Sequence, residues 1–281
     1  MNRASSDRAT GRAGPIDRGW LFAGLALIGF LNGISFQVVE SLRKDVGAAL
    51  VNTFDIGAVV WLSLAACLYL FLHAKRCVAS RNDLIAAGLA LIAFLSPAPP
   101  LSWLGLSGLA AYIAVTSPPA SFCRRSAWIL LALTVPIFWS RVLFLLTGDV
   151  VLRVDAALVG LILGTGRIGN SVAFGDGWGY FWIAPACSSI ANVSVAVSCW
   201  VLVTQMLGRS GGVHYFYLAA GAMIAMNVGR LVLTGISQAN YELMHGPVGN
   251  VILGWLFFAV TLAICLYGAT RGAKRAISAA R

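Results

Sequence analysis

The stretch VVLRVDAALVGLILG, Val150–Gly164, decides how this chain is threaded. It is apolar enough to pass for a membrane crossing, yet it carries Arg153 and Asp155. Around it lie eight other apolar windows, near 20–39, 56–73, 84–96, 101–116, 126–147, 187–207, 213–235 and 246–267. Lys75, Arg76 and Arg81 follow the second window, Arg124 and Arg125 the fourth, and Lys274, Arg275 and Arg281 the last. Arg3, Arg8, Arg12 and Arg18 precede the first. Lysine and arginine collect on the cytoplasmic side of membrane proteins, so the crossings that separate these clusters must be even in number. A ninth crossing at 150–164 would carry the basic C-terminal tail outside. The stretch therefore reads as interfacial or re-entrant, with its charges facing protein or water.

Composition supports the same picture. Of 281 residues, 59% are hydrophobic and only 11% charged, against about 25% charged in soluble domains. The expectation is an all-α polytopic membrane protein of about eight transmembrane helices with an extracytoplasmic interfacial or re-entrant segment. Residues 1–19 read as a cytoplasmic tail, 20–268 as one transmembrane catalytic domain with 148–186 as its extracytoplasmic segment, and 269–281 as a basic cytoplasmic tail. Pro97, Pro99 and Pro100 mark a tight hairpin between the third and fourth windows. Trp178, Tyr180 and Trp182 suit the headgroup layer. Trp20–Val39 leads to no small-residue cleavage site. The net charge of +10 is explained by topology, which leaves nothing to suggest nucleic acid.

Six cysteines show no CxxC spacing. Cys67, Cys199 and Cys265 lie within apolar windows and read as small core residues. Cys77 and Cys123 stand beside basic residues in expected cytoplasmic loops. Cys187 is different, because it opens a window just after Pro185, and helix-start amides can lower a thiol pKa or hold an oxyanion. Arg230 lies near the far end of the next window, three residues after Asn227 and on the same helix face. His245 opens the last window, after Glu242. In consecutive antiparallel helices these three positions meet at one membrane face. Acyl transfer from a peptide needs a nucleophile, a proton carrier and an oxyanion stabiliser, and Cys187, His245 and Arg230 offer one candidate each. Asn227, Ser188, Asn192 and Arg141 are candidates for supporting or substrate-binding roles, with Asn192 also suited to interhelical hydrogen bonding. His73 and His214 read as ordinary interfacial residues. No HExxH or paired histidine suggests a metal, and no cofactor is expected.

Three pieces, Ala186-Cys187-Ser188-Ser189-Ile190, Asn227-Val228-Gly229-Arg230 and His245 with Gly249 four residues on, resemble the exosortase and archaeosortase family of membrane cysteine transpeptidases. A weaker likeness extends through Arg153–Val159 and the glycine-rich stretch before Cys187. The resemblance implies an eight-helix enzyme that recognises exported proteins by a C-terminal signal: a short Pro-Glu-Pro-like motif, a transmembrane helix and a basic cluster. It implies a thioester on Cys187, resolved by an acceptor nucleophile, with Arg230 as the oxyanion or carboxylate partner and His245 as general acid and base. One departure stands out. The family often has Gly two residues after the cysteine and a basic residue soon after, where this chain has Ser189, Ala191 and Asn192. That points to a divergent subfamily with a non-standard sorting signal. The competing readings are a transporter with Arg153, Asp155 and Arg230 along its path, which would more often show repeated halves, and an inactive assembly scaffold.

Overall fold

The computed structural model describes residues 16–51, 53–209 and 212–279. All eight apolar windows are helical. Helix α1 (Arg18–Lys44) starts where Asp17 Oδ1 accepts from the amides of Gly19 and Trp20, at 2.9 and 3.1 Å. A short α2 (Val46–Val51) and a 3₁₀ turn (Thr53–Asp55) lead into α3 (Ala58–Leu72). Helix α4 (Arg81–Phe94) opens on a Ser80–Asp83 capping box, and α5 (Pro99–Thr116) opens on the two prolines of the expected hairpin. Then come α6 (Phe122–Thr134), a π-helical turn (Val135–Trp139), α7 (Ser140–Leu163), α8 (Ser189–Leu207), α9 (Val213–Gly235), α10 (Gln238–His245) and α11 (Pro247–Ala279). Among the described residues, five helical runs are long and apolar enough to cross a membrane: 18–44, 122–163, 189–207, 213–235 and 251–271. The expected N-terminal tail lies outside the described residues as far as residue 15, and its last two residues belong to α1. The last helix runs well past its expected end near 267.

The Val150–Gly164 stretch is not a separate helix. It is the second half of α7, which continues α6 without a break. The 42 residues from Phe122 to Leu163 would extend about 63 Å if straight, twice the roughly 30 Å hydrocarbon core. They are not straight. Ser198 donates to the Ala132 carbonyl and Ser189 to Asp155. These contacts are about 13.5 Å apart along α8 but about 34 Å apart along an unbent α6–α7. Two hydrogen-bonded contacts cannot absorb a mismatch of about 21 Å, so the rod bends between them. Pro136 sits in that interval, inside the π turn, where it lacks the amide needed to continue the α-helix. Gly164, at φ +68°, then ends α7 in a left-handed cap.

A second departure is the segment that follows α7. It forms a three-stranded antiparallel sheet of β1 (Arg167–Ile168), β2 (Ser171–Ala173) and β3 (Tyr180–Trp182), in that order. Val172 pairs with Phe181, and both are buried with Phe174 and Ile183 against Leu152, Ala156 and Val159 of α7 and Val228 and Leu231 of α9. The alternate residues, Tyr180 and Trp182, face outward, as does Trp178. The Gly175 amide donates to the Gly235 carbonyl and fixes the sheet to the end of α9.

Helix contacts divide the bundle into two ends. At one, Arg18 Nε donates to Asp83 Oδ1 at 3.0 Å, while its Nη atoms donate to Ser117 and Thr116. Tyr112 donates to the same carboxylate. Nearby, Arg125 of α6 donates to the carbonyls of Gln205 and Met206 at the end of α8. Cys123, expected in a loop, is buried in the first turn of α6 at this end. Cys67, Cys199 and Cys265 are buried as expected, and Cys77 is exposed. The sheet, α7, α10 and the start of α8 lie at the opposite end. The first end gathers Arg18, Lys75, Arg76, Arg81, Arg124, Arg125, Arg209 and Arg271 against Asp17 and Asp83. The second has six basic residues, Arg43, Lys44, Arg141, Arg153, Arg167 and Arg230, against Glu40, Asp45, Asp55, Asp149, Asp155, Asp176 and Glu242.

Arg18 and Asp83 are almost fully enclosed, so removing one member strands the other in a poor solvent. Asp83→Ala should destabilise the helix 1–4–5 assembly by about 3–5 kcal/mol. Thermal unfolding in detergent checks this, and an unchanged midpoint would contradict it.

Candidate functional site

The candidate residues lie at the sheet-bearing end, and backbone breaks place each one. Cys187 closes a 3₁₀ turn, Pro185–Cys187, with its amide donating to the Ala184 carbonyl. Ser188 is the N-cap of α8. His245 does not open the last helix as expected but closes the short α10. Pro247 excludes the helical conformation from Gly246, whose φ/ψ of −65°/161° ends α10. Gly249 then lets α11 start against the turn, since a Cβ there would collide with the Leu243 carbonyl.

Two polar ties hold the start of α8. Asp155, 2% exposed, accepts from the Ser189 amide at 2.9 Å and from its hydroxyl at 2.6 Å. Asn227, fully buried on α9, donates Nδ2 to the Cys187 carbonyl at 2.8 Å. The first tie revises the helix-start expectation. Cys187 stands one residue before the N-cap, the Ser189 amide serves Asp155, and the Ala191 amide serves Ser188 Oγ. Stabilisation of an oxyanion by those amides is therefore not what this helix start offers. Its dipole is matched instead by the Asp155 carboxylate. Asn192 donates to the Ser188 carbonyl at the start of its own helix.

Arg141, Asn192, Arg230 and His245 line one cavity of about 1140 Å³, together with Gln37, Thr53 and apolar residues of α3, α8, α9 and α11. Cys187 is not among its lining residues. It lies half-buried one layer back, packed between α7 and α9 in the cluster that includes Leu152, Ala156 and Val228. Asn227 joins the two places, because it binds Cys187 and precedes Arg230 by one helical turn. Its Oδ1 is buried with no hydrogen-bond partner among the described residues. Asp176 accepts from the Gln238 amide and Glu242 from the Gln238 side chain.

His245 stacks on Tyr241 with ring centroids 4.3 Å apart, and Nδ1 donates to the Tyr241 carbonyl at 3.1 Å. A carbonyl only accepts, so the neutral ring carries its basic lone pair on Nε2. Burial lowers the His245 pKa; the Tyr241 carbonyl offsets part of that by raising it, and the Arg230 guanidinium adds the smallest effect, a lowering one. The neutral base therefore persists to lower pH than in an ordinary histidine. Among the described residues no group of three His, Cys, Asp or Glu side chains stands close enough to hold a metal ion. Arg153 forms an exposed i,i+4 pair with Asp149 and takes no part in the cavity.

Sequence reasoning placed Asp155 only on the path of the competing transporter reading and missed its tie to the start of α8. Its signal was present, a carboxylate inside an apolar run, but its partner lies 34 residues on and only the bend of α6–α7 brings them together. Comparison of the chain with protein-family models, curated proteins and solved structures finds no match in any of the three. Asp155→Ala removes both acceptors from the start of α8 and should cost about 1.5–3 kcal/mol. It should also raise the alkylation rate of Cys187 as its backbone loosens. A Cys187 labelling rate identical to that of the parent would count against the tie.

Proposed function

We propose that this chain is a membrane-embedded cysteine peptidase and transpeptidase of the exosortase type, acting on exported proteins at the extracytoplasmic face of the cytoplasmic membrane. One observation carries the reading: Asn227 holds the Cys187 backbone and stands one turn from Arg230, which shares a cavity with His245. A nucleophile, a cation and a basic imidazole are thus tied to one another at one end of an apolar bundle.

On this reading the substrate carries a C-terminal motif, transmembrane helix and basic cluster, and its motif meets the cavity at Arg230 and His245 so that Cys187 is brought to the imidazole. Catalytic hydrogen bonds commonly tighten only when substrate is bound. His245 Nε2 takes the thiol proton, and Cys187 Sγ attacks the carbonyl carbon of the scissile peptide. Arg230 faces the oxyanion, the role that the start of α8 does not fill. The C–N bond breaks as His245 returns its proton to the leaving amine, and a thioester remains. An acceptor nucleophile then gives its proton to His245, attacks the thioester and releases the Cys187 thiolate, which regains the proton.

Sidedness follows from charge. The end bearing eight basic and two acidic residues suits the cytoplasm, and the sheet-bearing end, with six basic and seven acidic, suits the outside. Eight crossings, by α1, α3, α4, α5, α6, α8, α9 and α11, keep both termini inside. In that arrangement α7 and the sheet lie at the outer interface, with Trp178, Tyr180 and Trp182 towards the headgroups.

Cys187→Ser, co-expressed with an exported protein bearing such a C-terminal signal, should abolish processing. Mass spectrometry of the new C-terminus in the parent should show the cut and the attached acceptor. Normal processing by the mutant would sink the proposal. Loss of solute flux on Arg230 replacement, with flux retained after Cys187 replacement, would favour a transporter. The pH profile gives a second check. His245 must be neutral to take the thiol proton, and its pKa is lowered, so the acid limb of the rate should fall below the ordinary histidine value of about 6.5. Replacing Arg230 with Gln removes one of the lowering causes and should move the limb of the residual activity upward. A limb that stays fixed in that variant would argue against His245 as the base.

A further inference from the structure

The cavity has a shape and polarity that the peptidase reading does not use. Its polar residues form a rim at one level: Arg141 just beyond the π turn, Asn192 near the start of α8, Arg230 near the end of α9, and His245. Its floor is apolar. Met223 lies seven residues below Arg230 on α9, and Phe258 seven residues below Val251 on α11, so the floor is about 10 Å deeper along the helix axes. The cavity also has a side opening. Helices α3 and α11 each pack on α8 with no extended contact between them. The lining residues that flank this gap, Leu62 and Trp255, are 47% and 60% exposed.

Two features at the cavity call for an acceptor-bearing, negatively charged guest. Arg141, exposed at the cavity's edge, makes no hydrogen bond or ion pair with any described residue and lines the same cavity as a second guanidinium. Trp61, also in the lining, has a buried Nε1 donor without an acceptor among the described residues. From these we infer that the cavity binds a membrane lipid with an anionic headgroup. The lipid enters between α3 and α11, its phosphate sits at the arginine rim and one chain lies along the apolar floor. A free anion would leave the floor unfilled. An extended peptide segment on the floor would set its backbone amides against apolar walls without partners. An amphiphile aligned with the bilayer normal satisfies both levels, with phosphate suited to guanidinium. The inference stands independently of whether Cys187 is a nucleophile.

The test uses the full chain reconstituted in vesicles of equal phosphatidylglycerol and phosphatidylcholine, extracted gently and examined by native mass spectrometry. Phosphatidylglycerol should be retained in preference. Arg141→Gln should reduce that retention about fivefold. Gly254→Leu should also reduce it by obstructing the chain. Gly254 lines the cavity, and a Cβ there meets open space. As a check that needs no cavity-filling variant, phosphatidylglycerol with brominated chains should quench the part of the fluorescence that is lost in Trp255→Phe. Equal retention of the two lipids by the parent chain, or undiminished retention in both variants, would overturn the inference. Binding of inorganic phosphate that Arg141→Gln abolishes and Gly254→Leu leaves intact, without lipid retention, would assign the rim to a soluble anion and overturn it as well.

Discussion

Pro136 has no amide hydrogen, and the sheet-bearing half of the molecule is arranged around that missing donor. An unbent helix from Phe122 to Leu163 would carry α7 out along the line of α6 and away from α8. With the π turn at Val135–Trp139, α7 lies instead against α8 and α9. Three consequences follow from the one bend. Asp155 reaches the start of α8, the sheet finds a floor on α7 and α9, and Arg141, just past the turn, faces the cavity. A proline one or two residues earlier or later would re-aim α7 by about 100° per residue of shift around the axis, and none of these placements would survive.

Buried polar groups then divide the bundle by task. At the basic end, Arg18 and Asp83 have neighbours for most of their hydrogen-bonding capacity, including Ser80, Tyr112, Thr116 and Ser117. Such a network is suited to holding helices in one register. The opposite end is less complete. Asp155 is matched by Ser189, but Asn227 Oδ1, Thr165 Oγ1 and Trp61 Nε1 lack partners among the described residues. Unmatched donors and acceptors in a low-dielectric setting cost about 1–3 kcal/mol each, and a fold tolerates that cost more readily where a guest can supply the missing partner. The polarity of the two ends thus separates a locked support from a receptive site within one bundle.

The helices were legible because hydrophobic windows of this length have few other readings. Proline punctuation at 97–100 and Gly-Pro at 246–247 marked real breaks, although the second was read as the start of a helix when it is the boundary between two. The sheet was not legible. Strands of two or three residues give no alternation to detect, and Gly and Trp around them read equally well as a loop. Treating 150–164 as its own element failed for a different reason. Asp149 and Arg153 interrupt the apolar run and look like an end, whereas at i,i+4 spacing they pair with each other on the surface of a continuous helix. In the site, the grouping of Arg230 with His245 could be read from helix parity alone. The position of Cys187 behind the cavity wall could not, because it depends on the tertiary contacts of Asn227 and Asp155.

Ser189 shows how a departure from the pattern of a family that the chain only resembles can belong to the scaffold. By resemblance a glycine is common at this position, and its replacement would seem to crowd the substrate. In this chain the serine hydroxyl and amide both bind Asp155, and the residue is buried at the α7–α8 contact. A glycine would keep the amide bond but leave one carboxylate oxygen without its donor in a buried setting, where an unmatched charge is costly. Ser189 and Asp155 therefore form one unit, and neither can be replaced sensibly without the other. The proposed divergence in substrate must then be sought in the cavity that Arg141, Asn192 and His245 line, since the residue beside Cys187 that differs most plainly is occupied with holding α8 to α7.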